Sequence, residues 1–118
     1  MIDTQEFKDF ECYQEALHLT RLVYKLTDKR PFSGDVFLVG RLKESVLSSM
    51  ANMAEAHQHN GSDQFLQFLV NALSAVAEAV SHSYVALDQG YINQNEMNDL
   101  RKQADTVWRK VNNFISTS

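Results

Sequence analysis

The chain has 118 residues, 44% of them hydrophobic, and a net charge of −4. That is enough apolar material for one core and too little chain for two ordinary domains, and it excludes wholesale disorder. The negative balance argues against a whole-surface electrostatic grip on nucleic acid or anionic lipid, while leaving room for a local basic patch.

Only four glycines and one proline are present, too few for the turns of an all-β fold and consistent with long helices. The first predicted helix runs from about Asp9 to Asp28. In it Phe10, Tyr13, Leu17, Thr20, Tyr24 and Thr27 recur at steps of three and four, with Val23 beside them. Pro31 then breaks the pattern. Ser33 and Asp35 are candidate N-caps for a second helix, about 35–59, with a stripe of Leu38, Leu42, Val46, Met50 or Ser49, Met53 and His57. Gly61 can take the left-handed conformation that ends it. Ser62 or Asp63 can cap a third helix, about 63–88, whose face is Phe65, Leu69, Ala72, Val76 and Val80, widened by Leu66, Leu73 and Ala77. After a Gly90-centred stop, Asn93 and Glu96 read as a capping box. The fourth helix, about 94–115, turns Met97, Leu100, Ala104, Val107, Trp108, Val111, Phe114 and Ile115 inward. Four such helices with short connections predict a single all-α domain over 1–118, an antiparallel up-down-up-down four-helix bundle.

Charge is unevenly spread. From Ser45 to Ser62 the only formally charged residue is Glu55, and from Gln64 to Leu87 the only one is Glu78. A bundle helix with one buried face should carry charge on the other. The outer helices do so; the second and third hold Ser, Ala, Asn, Gln and His instead. Depletion of charge with retention of small polar groups is the pattern of an oligomer interface; the competing reading is a monomer with a neutral polar face. Arg41, Ser45, Ser48, Asn52, Glu55 and His59 are spaced 4, 3, 4, 3 and 4, one stripe beside the apolar one. If covered, Glu55 and Glu78 need partners, because an uncompensated buried carboxylate costs several kcal/mol. Arg41 of a neighbouring copy, a histidine or helix N-terminal amides could supply them, and Asn52 could bridge helices. The stripe reads first as a structural polar network, and second as a ligand or nucleic-acid contact.

Two basic groups stand out: Arg21, Lys25, Lys29 and Arg30 late in the first helix, and Arg101, Lys102, Arg109 and Lys110 on the fourth. They form a candidate nucleic-acid or partner patch; the plainer reading is solvated helix faces.

Catalytic motifs are lacking. No P-loop, dinucleotide fingerprint or nucleophile–base constellation appears. A di-iron bundle needs two Glu-x-x-His pairs. Glu15 and His18 give one; Glu78 and His82 are four apart. No cofactor or metal is expected, and the chain reads as a non-enzyme. Cys12, the single cysteine, reads as core filler in a reducing compartment. The start "MIDTQEFKDF" reads as neither a signal nor a transit peptide, and no run approaches ~20 apolar residues. The expected compartment is the cytoplasm.

Several stretches, in order, carry a family resemblance: "YQEA" (13–16), "LVYKLTDKRPF", "FLVGRLKESVLSSMANMAEA", "FLQFLVNALSAVAEA" and "GYI" (90–92). The chain resembles the bacterial four-helix-bundle proteins encoded in intervening sequences of 23S ribosomal RNA genes. On that match Ser48, Asn52, Ala54, Glu55 and Glu78 keep the family's residues. Arg41 and Lys43-Glu44 stand where the family has Gln and Arg-Arg, and Ala56 replaces a Gly. The resemblance implies a homopentamer. It also implies similarity to the accessory variability determinant of diversity-generating retroelements, a pentameric bundle that binds nucleic acid and a reverse transcriptase. The functions that follow are a self-associating scaffold that binds RNA or DNA, or alternatively a protein adaptor for a polymerase or reverse transcriptase.

Overall fold

The computed structural model describes residues 6, 7 and 10–117. Among them are four α-helices and no strand: α1 (Glu11–Thr27), α2 (Val36–Gln58), α3 (Phe65–Asp88) and α4 (Gln94–Ser116), with a 3-10 turn at Phe32–Gly34. Asp9, where the sequence places the start of the first helix, lies outside the described residues. Each helix packs on its neighbours in a ring, α1 on α2, α2 on α3, α3 on α4 and α4 on α1, with α2 and α3 the most extensive pair. The body measures 51 × 22 × 22 Å. Among the described residues no helix is long and apolar enough to cross a membrane.

The helix ends follow local chemistry. Asp35 caps α2, its carboxylate accepting from the Leu38 amide at 3.1 Å. The same carboxylate accepts from the Tyr91 hydroxyl at 3.1 Å, and Tyr91 stacks on buried Phe32 with ring centroids 5.1 Å apart. The turn before α4 is thereby tied to the start of α2. Gly61 and Gly90 adopt φ of 88° and 75°, the left-handed region that other side chains resist. The Asn93–Glu96 capping box forms with both bonds, at 2.8 and 2.9 Å. The start of α3 differs from the sequence expectation. Ser62 accepts from the Gln64 amide at 3.2 Å, and no side chain caps the helix itself, which begins at Phe65 rather than Asp63.

The core holds Leu19, Val23, Leu42, Val46, Leu69, Val76, Leu100 and Val107, each no more than 1% exposed. Its facing differs from the sequence stripes in three places. On α1 the buried line is Cys12, Ala16, Leu19, Val23 and Leu26, so Tyr24 turns out to 42% exposure and its ring lies under the Lys43 ammonium at 4.5 Å. On α3 the small residues Ala72, Ala75, Ala79, Ser83 and Ala86 are the buried ones. They allow α2 to approach closely, and that facing leaves Leu66 51% exposed and Ala77 on the surface. On α4 Trp108 is 43% exposed, lying along the α3–α4 junction beside Ala77 and Ala104 rather than in the core. On α2 the buried member of the Met50/Ser49 choice is Ser49. Its hydroxyl donates to the Val46 carbonyl at 2.7 Å. Buried Thr20, Thr27 and Ser83 likewise donate to carbonyls of their own helix, so these hydroxyls do not stay unpaired in the core.

Candidate functional site: the low-charge surface of α2 and α3

The polar stripe of α2 lies toward the outside, beside α3. Ser45 is buried, Ser48 and Asn52 are half-buried, and Arg41 and Glu55 are exposed. Asn52 does not bridge helices. Its amide nitrogen donates to the Ser48 carbonyl at 2.9 Å and the Ser48 hydroxyl at 3.3 Å, within α2; an amide four residues on from a serine meets it more readily than a neighbouring helix. The Glu55 carboxylate stands 3.9 Å from His59 Nδ1. That nitrogen is also 2.9 Å from the Glu55 carbonyl, and the His59 ring packs on Phe68 at 4.8 Å. Arg41 approaches Glu44 at 3.7 Å and lies over the Phe37 ring at 5.2 Å. Glu78 is exposed on α3 with no ion pair among the described residues. Within one chain the stripe is thus a set of short-range contacts along α2, not a network between helices.

Exposed apolar side chains are the feature the stripes missed. Val36, Phe37 and Leu47 on α2 are 79%, 74% and 47% exposed, and Leu66, Val70, Tyr84 and Val85 on α3 are 43–51% exposed. Tyr24 and Trp108 are the exposed large hydrophobics on α1 and α4. A second apolar set was present in the sequence, at 66, 70, 77 and 84. It stayed hidden because Leu66 and Ala77 were absorbed into a broad core face.

The basic residues sit on the charged half. Lys110 pairs with Glu11 at 2.8 Å and Lys29 with Glu96 at 3.5 Å, each joining α1 to the α4 side. Arg101 donates to the Tyr84 hydroxyl at 2.8 Å and stands 3.9 Å from Asp105. Arg21, Lys25, Arg30, Lys102 and Arg109 are exposed and form no ion pair with described residues. Gln103, which the sequence did not single out, donates to the Glu15 carbonyl and carboxylate, both at 2.9 Å. That donation, followed by His18, holds the Glu15 carboxyl below its ordinary value.

Among the described residues no three His, Cys, Asp or Glu side chains converge as a metal site. Glu15 and His18 face each other at 3.4 Å but are joined by Gln103 rather than by a second Glu-x-x-His pair. His57 fills the bundle end: its ring meets Phe10 at 5.1 Å, and its buried Nδ1 finds no hydrogen-bond partner among the described residues. Cys12 is buried, and burial pushes its thiol up from 9.0 to about 11, which suppresses the reactive thiolate. An open cavity of about 460 Å³ borders it, between Phe10, Lys110 and Phe114.

No curated protein matches the chain. Residues 8–113 match the family described as 23S rRNA-intervening sequence protein. The match takes in α1, α2 and α3 whole and α4 as far as Asn113. The chain therefore belongs to the 23S rRNA-intervening sequence protein family.

Proposed function

We propose that the protein is a non-enzymatic, self-associating scaffold of the cytoplasm. In this reading its copies meet through the low-charge surface of α2 and α3, and α1 and α4 face outward toward a macromolecular partner. The observation that carries it is the distribution of exposed side chains: among the described residues seven of the nine exposed large hydrophobics lie on α2 and α3, whose stretches 45–62 and 64–87 hold one formal charge each. Apolar surface of that extent on a small monomer is a mark of interaction. Each subunit is an antiparallel up-down-up-down bundle. Support comes from Glu11 meeting Lys110, Glu15 meeting Gln103 and Lys29 meeting Glu96, so that rising numbers on the α1 side meet falling numbers on the α4 side. Thr20–Met50 and Tyr24–Lys43 relate α1 to α2 in the same way. Five copies is the count the family resemblance favours. Light scattering on the eluting protein tests association: a multiple of 13.5 kDa is expected, and a folded species of that mass at all concentrations defeats the reading.

A second role for the outward face is nucleic-acid binding, favoured by the cations Arg21, Lys25, Arg30, Lys102 and Arg109, which form no ion pair with described residues. Such binding would be sequence-independent and steeply salt-sensitive. Titration with single- and double-stranded RNA and DNA at about 50 mM salt, the low end at which phosphate contacts are strongest, checks it; absence of binding there leaves a protein adaptor, for instance for a polymerase or reverse transcriptase.

A further inference from the structure

The turn between α2 and α3 contains the chain's single Asn-Gly step, Asn60-Gly61. Both residues are exposed. Gly61 closes α2 at φ 88°, where a residue without a side chain is favoured. The glycine has a second consequence. A Cβ built on Gly61 would meet nothing within 4 Å. The bare α-carbon and the open space around it leave the Gly61 nitrogen accessible.

The hydrogen bonds of the turn pass this step by. The Asn60 amide donates to the His57 carbonyl at 3.3 Å. The Ser62 amide and hydroxyl both donate to the His59 carbonyl, at 2.9 and 2.7 Å. Between them the Gly61 N–H donates to no described residue, and the Asn60 side chain bonds to none. An open backbone nitrogen therefore lies next to an untethered carboxamide, in a frame held on either side.

The other asparagines differ. Asn93 caps α4, its side-chain oxygen accepting from the Glu96 amide at 2.8 Å. The rest lie inside α2, α3 and α4, where the amide that follows each is spent on the helix or its cap. The side chains of Asn52, Asn71 and Asn98 are hydrogen-bonded as well.

We propose that Asn60 is a site of spontaneous covalent modification: in the folded protein its carboxamide closes on the Gly61 nitrogen and then opens, with water as co-reactant, to aspartate and isoaspartate. The Gly61 nitrogen gives its proton to solvent base and attacks Cγ of Asn60. The N–Cγ bond forms, the Cγ–Nδ2 bond breaks, and the amide nitrogen leaves as ammonia with a proton taken from water. The product is a cyclic succinimide. Water then adds to either ring carbonyl. Opening at Cγ restores the main chain with aspartate at this position. Opening at the main-chain carbonyl leaves an isoaspartyl link, in which the chain runs through Cβ and Cγ. Nothing is oxidised or reduced. Either product adds negative charge to a chain already at −4, at the C-terminal end of α2, where the helix dipole disfavours it. The isoaspartyl link also lengthens the main chain between two helices that the His59 and Phe68 rings hold together, with centroids 4.8 Å apart.

Ageing the native chain tests this. Folded protein is held at physiological temperature and mildly alkaline pH, beside a sample unfolded in guanidinium, and its peptides are sequenced by mass spectrometry over time. In the folded sample Asn60 is expected to gain the mass of an amide-to-acid exchange at least about tenfold faster than any asparagine inside a helix, the factor that one retained hydrogen bond supplies. The aged protein is expected to accept methyl groups from an isoaspartyl carboxyl methyltransferase. Asn60→Gln, whose longer side chain closes a larger ring far more slowly, is expected to lose both signals and keep its helical circular dichroism. Conversion at Asn60 in guanidinium but not in the folded chain overturns the proposal. So does a folded-state rate no faster than that of the helical asparagines, or methylation that persists in Asn60→Gln.

Discussion

The α1–α4 junction and the α2–α3 junction are built from different materials. The first is bridged by polar side chains at its edge: Lys110 on Glu11, and Gln103 on Glu15. The helices of the second bury small residues, Ser45, Ser49 and Ala56 on α2 and Ala72, Ala75 and Ala79 on α3, and have no ion pair between them among the described residues. Polar bridges at an edge need water on their far side. Small residues need only a backbone that can come close. A helix pair that carries few charges beyond Glu44 and keeps exposed leucine, valine and tyrosine is poorly suited to stand against solvent. That contrast is what supports the proposal that α1 and α4 face solvent while neighbouring copies cover α2 and α3.

The sharpest way to break the comparison is to separate α2 from α3. Ala79→Leu adds three heavy side-chain atoms to a fully buried site and should cost about 1–3 kcal/mol or more, read as a lower urea midpoint. A change within ~0.5 kcal/mol, the range of an ordinary surface substitution, means that the close approach is not what holds the pair.

Gln103→Leu comes next, removing two donations to Glu15, with an expected loss of about 1–2 kcal/mol. It also carries a pH signature. Glu15 is held below its ordinary value in the folded protein, so its contribution is present above the unfolded value and is lost as pH falls through the folded one. The variant should raise the Glu15 pKa and flatten the acid limb of stability below about pH 4.5. An NMR titration showing no movement of Glu15 contradicts the assigned cause.

The smallest effect belongs to Lys110→Ala. Its partner Glu11 is 73% exposed, and a solvent-screened pair of this kind contributes under about 1 kcal/mol, less at high salt. A larger or salt-independent loss would mean that Lys110 packs rather than pairs.

Much of the fold was legible from spacing. The α4 capping box, the Asp35 cap and the turn glycines each have one residue type suited to the local backbone. The facing of α1 and α3 was less legible. Tyr24 and Leu66 are large and apolar, and a periodicity argument places large residues inward; the structure buries Cys12, Ala16, Ala75 and Ala79 instead, because close helix approach selects small residues that carry little hydropathy signal. The scarcity of charge from Ser45 to Leu87 was plain in the sequence. Which exposed residues form the surface was not, since that depends on where each stripe faces once four helices share one core. Asp35–Tyr91 and Glu15–Gln103 were hidden for a simpler reason: they join residues 56 and 88 positions apart.

The most direct test is the mass of the wild-type chain, measured by light scattering through a dilution series with helical content followed in parallel. Covered α2 and α3 surfaces predict a discrete multiple of 13.5 kDa that persists well below crystallisation concentrations. A species of 13.5 kDa with full helical signal throughout the series contradicts them.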